Sequence, residues 1–117
     1  MRSERLYLTD IVEAVDAIER FLDGVDADNF IEDELVQSAV LQKLSVIGKA
    51  AARLPRPFRE QHSHVPWRQI ADFRNFAVHA YFAVKWSIVW VAATQDAPVL
   101  REQVERILGG FTSGAGE

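Results

Sequence analysis

The residues with the clearest potential for chemistry lie in one stretch, FRNFAVHAYF, from Phe73 to Phe82. Arg74 carries a permanent charge and a planar fork of donors that suits phosphate, and His79 titrates near neutral pH and can move a proton. A ribonuclease that uses the RNA 2′-hydroxyl as nucleophile needs both functions, proton transfer and stabilisation of the charge that develops on the phosphorane. The stretch is therefore a candidate site for phosphoryl chemistry without a metal.

Each polar residue of this stretch also has an ordinary structural explanation. Arg74 could lay its stem on the core and keep its head in water, and His79 could be a core histidine bonded to a backbone carbonyl. Asn75 could simply be exposed, and Tyr81 could lie at the boundary of the core. Four separate explanations are needed within eight positions, which favours a shared site.

Helix geometry restricts how these side chains can meet. Arg74 and His79 are separated by about 140° around a regular helix, whereas Asn75 and His79 share a face. Arg74 and His79 can therefore converge only in a wide cleft, across a bend, or in a groove completed by a second subunit. A symmetric dimer would bring two copies of each side chain near its axis. Tyr81 lies about 200° beyond His79 unless the helix ends there.

Charge is distributed unevenly along the chain, although the formal net charge is −4. Residues 1–42 contain 3 basic and 11 acidic side chains, whereas residues 43–85 contain 8 basic and 2 acidic ones and all three histidines. The basic middle third indicates either a solvated helix face or a local anion site. The predicted phosphate contacts, besides Arg74, are Lys49, Arg53, Arg56 and Arg68.

Length and composition limit the class of protein. With 117 residues, 49% of them hydrophobic and none of them cysteine, the chain suits one domain without disulfides or thiolate chemistry. We expect a single domain over residues 1–109, a flexible tail over 110–117, a cytoplasmic location and no membrane span. The loop histidines, His62 and His64, have few carboxylates near them in sequence, so we expect neither a metal nor a cofactor.

Hydrophobic periodicity predicts helices nearly throughout. One helix carries the stripe Leu8, Ile11, Val15, Ile18 and Leu22, and Gly24 stops it. A second runs from about Glu32 to Leu54, before a connection that contains three prolines, and carries the stripe Val36, Val40, Leu44, Ile47, Ala51 and Leu54. The stripe Ile70, Phe73, Ala77, Ala80, Val84, Ile88 and Val91 then indicates one long helix or two helices with a bend near Phe82–Lys85.

Pro98 is predicted to open a last short helix that ends near Leu108, with Val99, Val104 and Ile107 as apolar positions. No segment alternates as a strand would. The predicted fold class is all-α, most simply an antiparallel four- to five-helix bundle.

The sequence resembles the HEPN-domain family, and within it the HepT-like toxin branch. RNFAVHAYF is similar to the family signature, and so are VLQKLSVIGKAAARLP, VPWRQIADFRN and WSIVWVAATQDAPVLREQV, so that the resemblance covers residues 6–107. It implies a homodimeric helical bundle with metal-independent endoribonuclease activity on RNA. Arg74 and His79 match the catalytic pair, and Asn75 would support the site. Tyr81 matches the tyrosine that a partner antitoxin, a minimal nucleotidyltransferase, modifies with AMP in related systems.

Two positions depart from the family pattern. The family often has glutamate where this chain has Lys49, and aspartate, a good helix cap, where this chain has Lys85. Some members of the family are inactive binding modules. The alternatives to a toxin ribonuclease are therefore a non-catalytic dimer that binds nucleotide or RNA, and a purely structural partner of a nucleotidyltransferase.

Overall fold

The computed structural model describes residues 3–78 and 85–113, and each regular element in these ranges is helical. The elements are α1 (Glu4–Phe21), α2 (Ala27–Glu32), α3 (Glu34–Arg53), α4 (Arg56–Gln61), α5 (Trp67–Ala71), α6 (Arg74–Val78), α7 (Trp86–Val91), a π-helical turn (Ala92–Asp96) and α8 (Ala97–Ser113). The predicted all-α bundle is confirmed. Within the described ranges, no helix combines the length and the apolar character that crossing a membrane requires.

The core forms where the long helices meet. α1 packs against α3 and α8, and the short helices α5 and α6 pack against α3. The two predicted stripes account for most of the buried side chains of α1 and α3, with Ile11, Ile18 and Leu44 fully buried. At the α1–α8 contact, Arg101 Nε donates to Asp16 Oδ1 at 2.6 Å, and both side chains are half-buried.

Two short helices lie in segments that the sequence predicted to be connections. Gly24, at φ 74°, ends the turn after α1, but α2 follows at once because Asp26 Oδ1 accepts the Asn29 amide at 2.8 Å. α4 forms in the proline-rich connection, with Pro57 in its first turn, where proline is tolerated. Each has six residues, fewer than a periodic pattern needs to be detected.

The prediction of one apolar stripe from Ile70 to Val91 is wrong in its second half. Lys85 has an extended backbone, at φ −85° and ψ 98°, which excludes the alternative of one long helix and agrees with the alternative of two helices with a break near Phe82–Lys85. The new helix places Val89 in the core and leaves Ile88 and Val91 on the surface, 52% and 41% exposed. The break therefore resets the phase of the buried face.

Pro98 lies at the start of the last helix, as predicted, but this helix is neither short nor separated from the elements before it. α7, the π-helical turn and α8 follow one another without a break, and Pro98 is the second residue of α8. In the π-helical turn, the Ala97 amide bonds to the Ala92 carbonyl five residues back, and Thr94 Oγ1 donates to the Trp90 carbonyl at 2.7 Å. The widened turn accommodates the proline, which cannot donate a backbone hydrogen bond.

The buried face of α8 differs from the predicted one at its start. Leu100 and Val104 are buried, whereas Val99 is 56% exposed. The helix also continues past the predicted end at Leu108 to Ser113, so the predicted domain boundary at residue 109 falls inside it. Phe111, within the predicted tail, stacks on Phe58 with ring centroids 6.3 Å apart.

Candidate functional site

Arg74 begins α6, and its backbone lies close against Gly48 of α3. A Cβ built on Gly48 would lie 2.4 Å from the Arg74 backbone nitrogen and 2.9 Å from the Ala71 carbonyl oxygen. Only a residue without a side chain allows the two backbones this close. Gly48, in the middle of α3, therefore fixes where the Arg74 backbone lies. The sequence contains one signal of this role. Glycine inside a helix lowers the stability of that helix, so its presence there indicates a requirement for close packing.

The chain turns sharply just before Arg74. Asp72 and Phe73 separate α5 from α6, and the Asn75 amide donates to the Asp72 carbonyl at 2.9 Å. Phe73 is buried and stacks on Phe76, with ring centroids 5.5 Å apart, while Arg74 and Asn75 between them are exposed. Two aromatic anchors thus hold the backbone and present an arginine and an amide to solvent.

His79 and Tyr81 lie outside the described residues. The proposed pairing of Arg74 with His79, the support from Asn75 and the accessibility of Tyr81 therefore stay predictions. The structure describes the chain again from Lys85 onwards. Lys85 is the N-cap residue of α7, and its side chain makes no capping hydrogen bond, as its residue type predicts.

The predicted phosphate-binding residues occupy α3, α4 and α5. Lys49 follows Gly48 directly, and Arg53 lies one turn further along the same face of α3. Within residues 3–78 and 85–113, no ion pair holds any of four exposed cations, Lys49, Arg53, Arg68 and Arg74. These cations are available for an external anion.

Arg56 differs from the other predicted contacts. Its Nε lies 2.9 Å from Glu60 Oε1, four residues along α4, so part of its charge is already neutralised. Arg59, which the sequence analysis did not select, has a buried Nε for which no described atom is a hydrogen-bond partner.

The histidine pair in the α4–α5 connection has structural contacts. His62 lies against Phe58, with ring centroids 4.6 Å apart, and its carbonyl accepts the Trp67 indole N–H at 3.0 Å. Partial burial and, to a lesser degree, the neighbouring His64 lower the pKa of His62. In the part of the chain that the structure describes, no three histidine, cysteine or acidic side chains are arranged to hold a metal ion.

Comparison with known proteins identifies the family. The model of the family described as "Ribonuclease HepT-like" matches residues 11–107. A relative from Caldanaerobacter subterraneus subsp. tengcongensis, named "Putative RNase TTE0752", is 35% identical over 108 residues, which cover 92% of this chain and 96% of the relative. Another from Thermococcus cleftensis, named "Probable ribonuclease HepT", is 36% identical over 106 residues, which cover 91% and 96%. No solved structure matches. The chain belongs to the HepT-like ribonuclease family.

Proposed function

We propose that this protein is a metal-independent endoribonuclease and the toxin of a toxin–antitoxin pair. The observation that carries the proposal is Arg74, exposed at the start of α6 and fixed against Gly48, with the exposed Lys49 next to that contact. Relatives that align over nearly the whole chain are named as ribonucleases. The fixed arginine and its neighbouring cations suit a phosphate of RNA.

The reaction requires only the RNA and side chains of the protein. The 2′-oxygen attacks the neighbouring phosphorus while the bond from phosphorus to the 5′-oxygen breaks. His79 moves the proton, which leaves the 2′-hydroxyl and ends on the departing 5′-oxygen, and Arg74 stabilises the negative charge on the phosphorane. The products are a 2′,3′-cyclic phosphate and a free 5′-hydroxyl.

Cleavage assays of two variants test this function. Arg74→Ala and His79→Ala should each lose about 10²–10⁴-fold in cleavage rate, the usual loss with an acid–base or charge-stabilising group, and should keep their helical circular dichroism. Cleavage by the unmodified protein should persist in EDTA. Binding of RNA without cleavage would instead identify a non-catalytic RNA-binding protein, and loss of cleavage in EDTA would exclude the mechanism.

The antitoxin in this proposal is a minimal nucleotidyltransferase that transfers AMP from ATP to Tyr81. The phenol oxygen attacks the α-phosphorus of ATP, pyrophosphate leaves, and the phenolic proton passes to solvent. The attached phosphate would add negative charge beside the exposed Arg74 and compete with the RNA phosphate.

Mass spectrometry tests the modification. Incubation with the cognate nucleotidyltransferase and ATP should add one or more AMP units and reduce cleavage, and Tyr81→Phe should abolish the mass shift. Tyr7→Phe is the matched control, because Tyr7 is the other tyrosine of the chain and lies on α1, outside the motif. This variant should keep the mass shift. An unchanged mass shift in Tyr81→Phe would show that the switch lies elsewhere.

A further inference from the structure

An open groove of about 870 Å³ runs along the exposed side of α3 and ends beside the candidate site. α3 forms its floor. Ile31 and Glu32 of α2 form part of its wall, and Trp86, the first residue of α7, closes the other part. The groove therefore connects three elements of the fold and is not a local depression on one helix.

Buried contacts hold the walls of this groove in place. Gln37, the buried polar side chain of α3, donates through Nε2 to the carbonyls of Phe30 and Ile31, at 2.9 and 2.8 Å, and so fastens the end of α2. Trp86 meets the fully buried Phe30 edge to face, with ring centroids 6.0 Å apart. Because both walls rest on the core, the groove is formed before any ligand arrives.

The floor of the groove is uncharged and carries both polar and apolar side chains, because Leu41 and Val46 lie beside Ser38, Gln42 and Ser45. Ser38, Gln42 and Ser45 follow one another at spacings of four and three, so they form one line on the surface of α3. Beside this line stands the half-buried indole of Trp86. Hydrogen-bonding side chains next to an aromatic ring are the combination that binds the edge and the face of an unpaired nucleobase.

Charge gives the groove a direction. Lys49 lines one end and immediately follows Gly48, on which the Arg74 backbone packs. Glu32 and Glu34 line the other end, and along α3 Glu34 is about 22 Å from Lys49. A phosphate is attracted at the Lys49 end and repelled at the acidic end. The ligand that fits carries an anion at one end and a neutral, hydrogen-bonding ring at the other.

We infer that this groove binds one unpaired base of the RNA, next to the phosphate that Arg74 holds, and that the enzyme acts on single-stranded RNA. The inference rests on the ribonuclease function proposed above. Bases inside a duplex are stacked and paired, so they cannot enter the groove. An amphipathic peptide helix, the common protein ligand of such a groove, needs a continuous apolar floor, whereas polar side chains of serine and glutamine interrupt the apolar Leu41 and Val46 here.

Binding to an RNA that cannot be cleaved tests this inference separately from catalysis. A short single-stranded 2′-O-methyl oligoribonucleotide has no free 2′-hydroxyl to act as nucleophile, and single abasic positions can be placed along it. In the unmodified protein, loss of one particular base should weaken binding by about 5- to 100-fold, the usual effect of losing one stacked base. Trp86→Leu and Gln42→Ala should each make binding less sensitive to that abasic position.

Matched measurements make the result specific. Gln95→Ala, at an exposed position of the π-helical turn that does not line the groove, should keep the full abasic penalty. Because Trp86 also packs on Phe30, the exposed Gln42 gives a test that leaves the core unchanged. A 4-thiouridine at the sensitive position should crosslink to the peptide that contains Gln42 or Trp86.

The outcomes separate this inference from the function on which it rests. If the unmodified protein cleaves RNA but shows no base-specific penalty, or if both variants keep it, the groove does not bind a base and the ribonuclease function stands. Tighter binding of a duplex than of a single strand would also overturn the inference. The inference would also be overturned if Trp86→Leu and Gln42→Ala bound RNA normally but no longer bound a protein partner. If the unmodified protein neither binds nor cleaves RNA, the proposed function fails and the inference fails with it.

Discussion

At the scale of single residues, the candidate site depends on one glycine as much as on its charged side chains. The sequence points to Arg74 as a candidate, because its chemistry and its neighbours in the motif are unusual for a helix, and its catalytic role stays a prediction. It could not show that Gly48, 26 positions earlier, sets the position of the Arg74 backbone, because that contact exists only when α6 packs on α3. Gln37 escaped notice for the same reason, since its partners are carbonyls at the end of another helix.

Gly48→Ala should disrupt the α3–α6 contact. The new Cβ would meet backbone atoms, which cannot rotate away, so α6 has to move or the bundle has to loosen. We expect a loss of about 1–3 kcal/mol in the free energy of unfolding, measured by urea denaturation, and a fall in RNA cleavage.

Gly110→Ala is the control for Gly48→Ala, because a Cβ there meets nothing within 4 Å and the residue lies in α8. It should raise the free energy of unfolding by up to about 1 kcal/mol through helix propensity alone. Equal effects of the two substitutions would show that Gly48 has no special packing role.

At the scale of elements, helix ends explain both what the sequence predicted and what it missed. The stripes of α1 and α3 were predicted correctly because each helix is long, 18 and 20 residues, and keeps one phase. Ile88 and Val91 were assigned to the core because the periodicity was extended across Lys85, where the backbone is extended and the phase restarts. The π-helical turn shifts the phase again before Pro98, which no periodic pattern reports.

Lys85→Asp should stabilise the protein by giving α7 the cap that it lacks. Asp33, whose Oδ1 accepts the Val36 amide at 3.1 Å, shows the same arrangement at the start of α3. The Lys85 backbone already has the extended conformation of an N-cap. A carboxylate there would also interact favourably with the positive end of the helix dipole. We expect a gain of about 0.5–2 kcal/mol in the free energy of unfolding.

Lys85→Ala separates capping from the removal of a positive charge, because alanine removes the charge and accepts no hydrogen bond. It should leave the free energy of unfolding within about 0.5 kcal/mol of the unmodified protein. Stabilisation of the same size in both variants would contradict the capping explanation.

At the scale of the whole molecule, the side chains wrongly assigned to the core form an apolar surface. Phe73 and Phe76, from either side of Arg74, line a groove of about 460 Å³ together with the exposed Ile88 and Val91. A second groove shares Gln69 and Asp96 with the first and is lined by the exposed Val99. The surface is thus continuous from the segment that contains Arg74 to the start of α8.

We propose that the homodimer implied by the family resemblance uses this surface, with His79 predicted to lie near its two-fold axis. Arg74 and His79 do not share a face of a regular helix, and a second subunit is one way to complete their site. Across a two-fold axis, one apolar patch meets the same patch of the partner. The interface therefore buries two copies of each exposed side chain, one from each subunit.

The double substitution Ile88→Asp and Val91→Asp should therefore separate the subunits. Burial of each removed side chain contributes about 1.5–3 kcal/mol to the free energy of dimer formation, and burial of a carboxylate in its place opposes dimer formation further. The dimer dissociation constant should therefore rise at least about 100-fold. Sedimentation at micromolar concentration should show a monomer with unchanged helical circular dichroism and little cleavage. Leu6→Asp, at a 48% exposed apolar position on α1 outside both grooves, should remain dimeric and active. Dimerisation of the double variant would place the interface elsewhere, and an active monomer would show that Arg74 and His79 meet within one chain.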